Sequence, residues 1–156
     1  MNKEIEVDDN RTLKLTNVLS KKIILNDIDN TQFLKFLKDY DDYIKNNNLK
    51  TKGPLVMSTN IIGQDEQKLA LKLMRQLTDK FTPVPGYEFS TEIKTPPCVF
   101  SHFEGKEENS RIARMKMEVY AYEKGYILDN LCYSVLIYKD EVVSKIDNFI
   151  PVLGKE

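Results

Sequence analysis

Lys68-Leu69-Ala70-Leu71-Lys72-Leu73-Met74-Arg75-Gln76-Leu77 is the stretch on which the fold turns. Leu69, Leu71, Leu73 and Leu77 share one face of a period-two strand, yet Leu69, Leu73 and Leu77 also fit helical spacing. Composition leans to helix, because Leu, Lys, Met and Gln are good helix formers. The neighbouring segments lean the other way. Gly53-Pro54 marks a turn, residues 55–62 read as a strand, and Gly63-Gln64-Asp65 reads as a loop. The decision needs a longer-range pattern.

That pattern is an internal repeat with an offset of about 77 residues. The extended segment around Leu13 matches one around Ser90, and the helix start near Thr31 matches one near Glu108. The strand beginning at Pro54 matches one beginning at Leu131, and Lys68 falls opposite Ser144. The segment after Ser144 is much more strand-like. Consistency across the two copies therefore assigns Lys68–Leu77 to a strand against its local propensity. Each half then reads strand, helix, strand, strand. The expected fold is α+β, with antiparallel sheets and a central cleft between duplicated halves at residues 12–82 and 87–152. Residues 1–11 are expected to be a flexible terminus.

Working outward, residues 12–26 read as a strand, bent near 17–20. Asp29 or Asn30 offers an N-cap, and Phe33, Phe36, Leu37, Tyr40 and Ile44 mark the buried stripe of the first helix. Asn46-Asn47-Asn48 ends it. Pro83, Pro85 and Gly86 form the linker. Residues 87–93 then open the second half in alternation, and Thr95-Pro96-Pro97 interrupts it. After an extended stretch at 98–103, Ile112, Met115, Val119, Tyr122 and Tyr126 predict the buried stripe of the second helix, which Gly125 ends. Residues 131–138 and 142–152 read as a hairpin, with Pro151 suited to the end of an edge strand.

At this point the chain resembles the GyrI-like family, the AraC-type effector-binding domains with an SHS2-type fold. Val99-Phe100-Ser101-His102-Phe103-Glu104-Gly105 is similar to the family's apolar strand and His-x-Gly turn, with one extra residue between His and Gly. Glu123-Lys124-Gly125-Tyr126 looks like the helix exit, Phe149-Ile150-Pro151-Val152 like the terminal strand, and Gly53-Pro54-Leu55-Val56 like the lead-in to the second strand. The resemblance covers about residues 12–152.

The resemblance implies a sheet-lined cleft that takes hydrophobic, often cationic, small molecules, commonly as the sensor of a transcription regulator. Other family members bind gyrase, and a few hydrolyse small reactive compounds. Many carry a strand-five glutamate in a Glu-x-Tyr element. Here that position falls at or beside Ser134, the tyrosine position falls at Leu136, and no acidic residue lies between Asn130 and Lys139. Weak affinity for planar cations is therefore expected, because burying a cation without a paired charge leaves its desolvation cost unanswered. The candidate ligand-binding residues are Phe100, Phe103, Tyr120, Tyr133 and Ser134. Of Tyr133 and Ser134, only one side chain can face the cleft, because strand neighbours alternate.

The expected function is a non-catalytic, small-molecule effector-binding module linked to transcriptional regulation. The alternative is a protein-interaction accessory module, gyrase-modulating or secretion-associated, with no small ligand. No enzyme activity, cofactor or metal is expected. His102 is the sole histidine, and a Cys98–His102 pair four residues apart along a strand would be separated by about 13 Å. His102 reads instead as a turn or strand-end hydrogen-bonding residue. Cys98 and Cys132 belong to no CxxC pair and are expected to be buried, reduced thiols. Hydrophobic residues make up 41% and charged residues 30% of 156, with a net charge of −1. That balance shows no basic footprint for direct nucleic-acid binding and no helix-turn-helix accompanies it. No apolar run approaches a membrane span and the terminus does not read as a signal peptide, so a cytoplasmic location is expected.

Overall fold

The computed structural model describes residues 5–156. Two compact units emerge, residues 15–93 and residues 94–156 joined by the N-terminal segment through Lys14. The whole is mostly antiparallel strand with two helices.

The first unit contains β2 (Lys14–Ile24), α1 (Asn30–Asn46), β3 (Thr51–Ile62), β4 (Lys68–Leu77) and β5 (Glu88–Lys94), which follow β1 (Glu6–Arg11) of the other unit. Lys68–Leu77 is a strand, paired antiparallel with β3 from Ile62↔Lys68 to Thr51↔Leu77 and with β2 on its other side. The sheet order is β3-β4-β2-β5. Phe36, Tyr40 and Ile44 of α1 pack on Leu19, Leu71, Leu73 and Leu77. The Tyr40 hydroxyl donates to the Leu19 carbonyl at 2.6 Å, so this buried polar group has the partner it needs.

Local signals set the ends of α1. Asp29 caps it through a reciprocal box: its carboxylate accepts from the Gln32 amide and the Gln32 side chain accepts from the Asp29 amide, satisfying two otherwise orphaned donors. At the other end the Asn47 side chain donates to the Tyr43 carbonyl and Asn48 adopts a positive φ of 52°, which Asn tolerates better than most residues. Gly53-Pro54 is not a turn, as the sequence suggested. It lies inside β3 at a register shift between Lys52 and Val56. Gly53 has φ +72°, and an added Cβ would stand 3.2 Å from the Gln76 side chain, so the bulge favours glycine on both counts.

The second unit holds β1, β6 (Cys98–Gly105), α2 (Arg111–Lys124), β7 (Tyr126–Leu128), β8 (Leu131–Lys139) and β9 (Ser144–Lys155). The order is β1-β6-β9-β8, with β7 also on β9. Two expectations are corrected here. Glu6–Arg11, read as a flexible terminus, is a strand whose Glu6, Val7 and Asp8 pair with His102, Ser101 and Phe100. Residues 88–94, read as opening the second half, form β5 beside β2 of the first unit. A strand's sheet partners depend on distant residues, which local periodicity does not encode.

Pro151 lies within an interior strand rather than at an edge. It stands where β9 passes from pairing with β8, last at Tyr133↔Phe149, to pairing with β7 at Leu128↔Val152. A missing backbone N–H is tolerated at such an irregularity.

The largest correction concerns α2. Its buried residues are Ala113, Met117 and Ala121, the last two packed with Val99, Cys132 and Ile150. Ile112, Met115, Val119 and Tyr122, predicted as the buried stripe, are exposed, Tyr122 at 86%. Two alanines let the helix lie close to the sheet, so its contact face is made of small residues that a search for large apolar ones passes over. Gly125 closes α2 in the left-handed conformation, φ 72°. Both cysteines are free and buried, and burial raises the pKa of each thiol, leaving them as unreactive as packing residues.

Candidate ligand-binding face

Antiparallel pairing puts directly opposed residues on one side of a sheet, so the register of the second unit sorts its side chains. On the side covered by α2 lies a string of polar groups. The Ser134 hydroxyl donates to Asn148 Oδ1 at 2.7 Å, Asn148 Nδ2 donates to Ser101 Oγ at 3.3 Å, and the Ser101 hydroxyl donates to Met117 Sδ at 3.0 Å. Ser134, Asn148, Ser101 and Val7 are register partners across four strands. Phe103, two residues from Ser101 on the same strand and buried, shares this side by alternation.

The opposite side carries a different set. Asp8, Phe100, Phe149 and Tyr133 form one transverse row. The Phe100 and Phe149 rings stand 5.1 Å apart at 57°, and the Arg11 guanidinium lies 4.3 Å from the Phe100 centroid. The next row is Glu6, His102, Asp147 and Val135. His102 Nδ1 is 2.5 Å from Asp147 Oδ1, and His102 Nε2 is 2.9 Å from Glu104 Oε1. The imidazole is 37% exposed, and the two carboxylates are less so.

A neutral imidazole has one N–H, whereas here each ring nitrogen faces a carboxylate oxygen. Only the doubly protonated ring donates to both. The hydrogen bonds to Asp147 and then Glu104 raise the His102 pKa above its ordinary value. Burial pushes the Tyr133 hydroxyl pKa up as well, which keeps the ring neutral and apolar at physiological pH.

The five residues singled out from sequence are thus not brought together. Phe100 and Tyr133 share the side opposite α2. Ser134 and Phe103 lie on the α2 side. Tyr120 is on α2 itself, against Val99 and Met117, bordering a hollow of about 450 Å³ with Val7, Ile112, Met115 and Val119. Between Tyr133 and Ser134 the structure selects Tyr133 for the aromatic side. His102, expected at a turn or strand end, stands within β6. Sequence reasoning did not single out Phe149, Glu104 and Asp147, which the structure places beside Phe100 and His102. Glu104 was within reach of it, two positions from His102 on one strand, but Asp147 depends on the β6–β9 register, which no local signal reveals. Among the described residues no cluster of His, Cys, Asp and Glu is arranged to hold a metal ion, and no helix is long and apolar enough to cross a membrane.

No protein-family model matches the chain, and no curated protein matches it. Solved structures do. The chain is similar to EcmrR in the cryo-EM structure of an EcmrR–DNA complex, with TM-score 0.67 and 15% identity, over 98% of this chain and 58% of that one. It therefore spans little more than half of that protein's length. It also aligns with SAV2435 bound to tetraphenylphosphonium, at 11% identity over 97% of this chain and 95% of that one, TM-score 0.48. A third match is a protein described as a bacterial transcription regulation protein from Staphylococcus aureus MU50, at 12% identity over 97% and 99% of the two chains, TM-score 0.48. At 15% identity the EcmrR match is a likeness of fold alone.

Proposed function

We propose that this chain is a non-catalytic ligand-binding module of GyrI-like, duplicated strand–helix–strand–strand organisation, serving transcriptional regulation in the cytoplasm. Its ligand is a hydrophobic, aromatic small molecule. The observation that supports this reading is the row of Phe100, Phe149 and Tyr133 on the side of the sheet opposite α2, bordered by the polar row of His102 and Asp147. Aromatic walls with a few placed polar groups are what small-molecule sites require. The likeness in fold to part of EcmrR supports the regulatory context.

The experiment is a fluorescence titration with a panel of flat aromatic compounds, comparing wild type with Tyr133→Ala. Removing one stacking ring is expected to weaken binding about 2–12-fold, in line with about 0.5–1.5 kcal/mol for an aromatic pair. Equal affinity in the two proteins would remove Tyr133 from the site, and no binding across the panel would remove the reading.

A second reading has its own observation. Ile112, Met115, Val119 and Tyr122 leave α2 with an exposed apolar stripe, and contiguous exposed apolar surface marks interaction sites. If the chain is a protein-interaction module, Met115→Asp with Val119→Asp is expected to abolish its association with other chains. Aromatic-ligand titrations would be unchanged. The opposite pattern, ligand binding lost and association kept, would exclude α2 as the interaction surface.

A further inference from the structure

α2 carries two apolar faces. One, made of Ala113, Met117 and Ala121, is buried against the sheet. On the opposite side Ile112, Met115, Val119 and Tyr122 are 42%, 60%, 57% and 86% exposed. Their spacing of three, four and three residues is that of alternating a and d positions in a coiled-coil heptad. With Ile112 at a, the flanking g positions hold Arg111 and Glu118, and the e positions hold Lys116 and Glu123, all four exposed. Beyond the e flank, Val7 of β1 and Tyr120 widen the apolar surface into the hollow of about 450 Å³. A helix that is apolar on both sides belongs between two layers.

We propose that the outer stripe of α2 seats a second copy of this chain, whose own α2 packs antiparallel on it about a two-fold axis. This rests on the reading of α2 as an interaction surface and adds to it the partner and the direction of packing. The aromatic row takes no part in it. With the axis near residue 117, Ile112 of one copy stacks on Tyr122 of the other, and Met115 on Val119.

Charge selects both the partner and the direction. Along each flank the N-terminal position is basic and the C-terminal one acidic: Arg111 before Glu118, and Lys116 before Glu123. An antiparallel pair sets g against g and e against e with the chain directions reversed. Arg111 of one copy then comes within reach of Glu118 of the other, and Lys116 within reach of Glu123, each contact occurring twice by symmetry. A parallel pair sets g against the following e, which would bring Arg111 to Lys116 and Glu118 to Glu123, like against like. Arg114 pairs with Glu118 along its own helix at 3.2 Å and lies outside the seam. Exposed ion pairs are individually weak, so the apolar seam supplies affinity and the charges supply direction. Near the axis Lys116 also meets its own copy, as does Glu118, which weakens the dimer. α2 has 14 residues and a length of about 21 Å, so a contact confined to it falls below the ~1,200 Å² of a standard interface. A reversible dimer with Kd of about 1–100 μM is expected, not an obligate one.

Sedimentation equilibrium of the full chain over about 1–500 μM is expected to show monomer and dimer with no larger species, because a two-fold contact closes on itself. Val119→Asp should weaken dimerisation by about tenfold or more, since a charge enters the seam of both copies. Its circular dichroism should match wild type, because residue 119 is exposed. Lys116→Glu and Glu123→Lys should each weaken self-association about 3–10-fold, as an exposed pair lost twice by symmetry implies. An equimolar mixture of these two variants should associate at least as tightly as wild type, because each supplies the charge the other lacks. The double variant should recover wild-type association, which a misfolded chain could not do. A parallel pair requires the opposite sign, so tighter self-association of either single variant would overturn the proposal. A monomer at every concentration, or a dimer indifferent to Val119→Asp and to both charge reversals, would overturn it as well. If the chain is monomeric and Met115→Asp with Val119→Asp still abolishes binding to a different protein, the second copy is excluded and the interaction reading stands. A monomer that loses no partner through that variant removes both.

Discussion

Phe36→Ala is expected to destabilise the chain by about 3–5 kcal/mol, the cost of removing a buried phenyl ring and leaving a cavity. Phe36 is buried at the middle of α1, against the core that includes Leu19, Leu71, Leu73 and Leu77. The Lys21 ammonium lies 5.5 Å from its ring centroid, and that contact is lost as well. The ends of α1 are well capped, but capping contributes only about 1 kcal/mol. The helix therefore depends on its docked face. Against a total stability of about 5–15 kcal/mol for a domain, the loss is large enough to leave a substantial unfolded fraction. Urea unfolding followed by far-ultraviolet circular dichroism measures it, with the midpoint falling at unchanged slope. A loss below about 1 kcal/mol would mean that α1 does not rest on β2 and β4 through this residue.

The second large effect is that of Ser134→Glu. By the family pattern this change restores a carboxylate to the ligand site and strengthens cation binding. The structure leads to the opposite outcome. Ser134 points to the α2 side, donating to Asn148, which in turn donates to the fully buried Ser101. A glutamate there replaces a small hydroxyl donor with a larger, charged acceptor. The Asn148 carbonyl oxygen loses its donor and the new carboxylate faces that oxygen without a cation. Leaving buried polar groups unsatisfied and a charge partly desolvated costs on the order of 2–4 kcal/mol. The variant is thus expected to unfold at lower urea and to gain no affinity for tetraphenylphosphonium. Wild-type stability together with tighter cation binding would show that residue 134 faces the ligand and that the assignment of sides is wrong.

The two stretches that misled a local reading did so for opposite physical reasons. Lys68–Leu77 looks helical because β4 is buried on both faces: Leu71, Leu73 and Leu77 meet α1 while Ala70 and Met74 are buried on the reverse. A strand buried twice loses the alternation that identifies strands. The offset repeat recovered it. α2 misled because residue size stood in for burial. Its buried face is Ala113 and Ala121 around Met117, and the large apolar residues lie elsewhere on the helix. The same offset of 77 places Phe36, Tyr40 and Ile44 of α1 on Ala113, Met117 and Ala121, so the repeat marks the buried face that residue size concealed.

What the sequence determined by itself was local: the N-cap at Asp29 or Asn30, the Asn-rich stop after α1, the glycine closure of α2, the extended character of the strands and the burial of both cysteines. These depend on backbone preferences and on side chains a few residues apart, so they are legible in order along the chain. Tertiary structure alone decided which strands lie side by side, and with that which side chains share a face. A shift of one residue in register exchanges the two sides of a strand. The β6–β9 register places Asp147 against His102, and the β8–β9 register sends Tyr133 to the aromatic side and Ser134 beneath α2. His102 and Asp147 are 45 residues apart in the chain, and only the hydrogen-bonded ladder between their strands makes them neighbours.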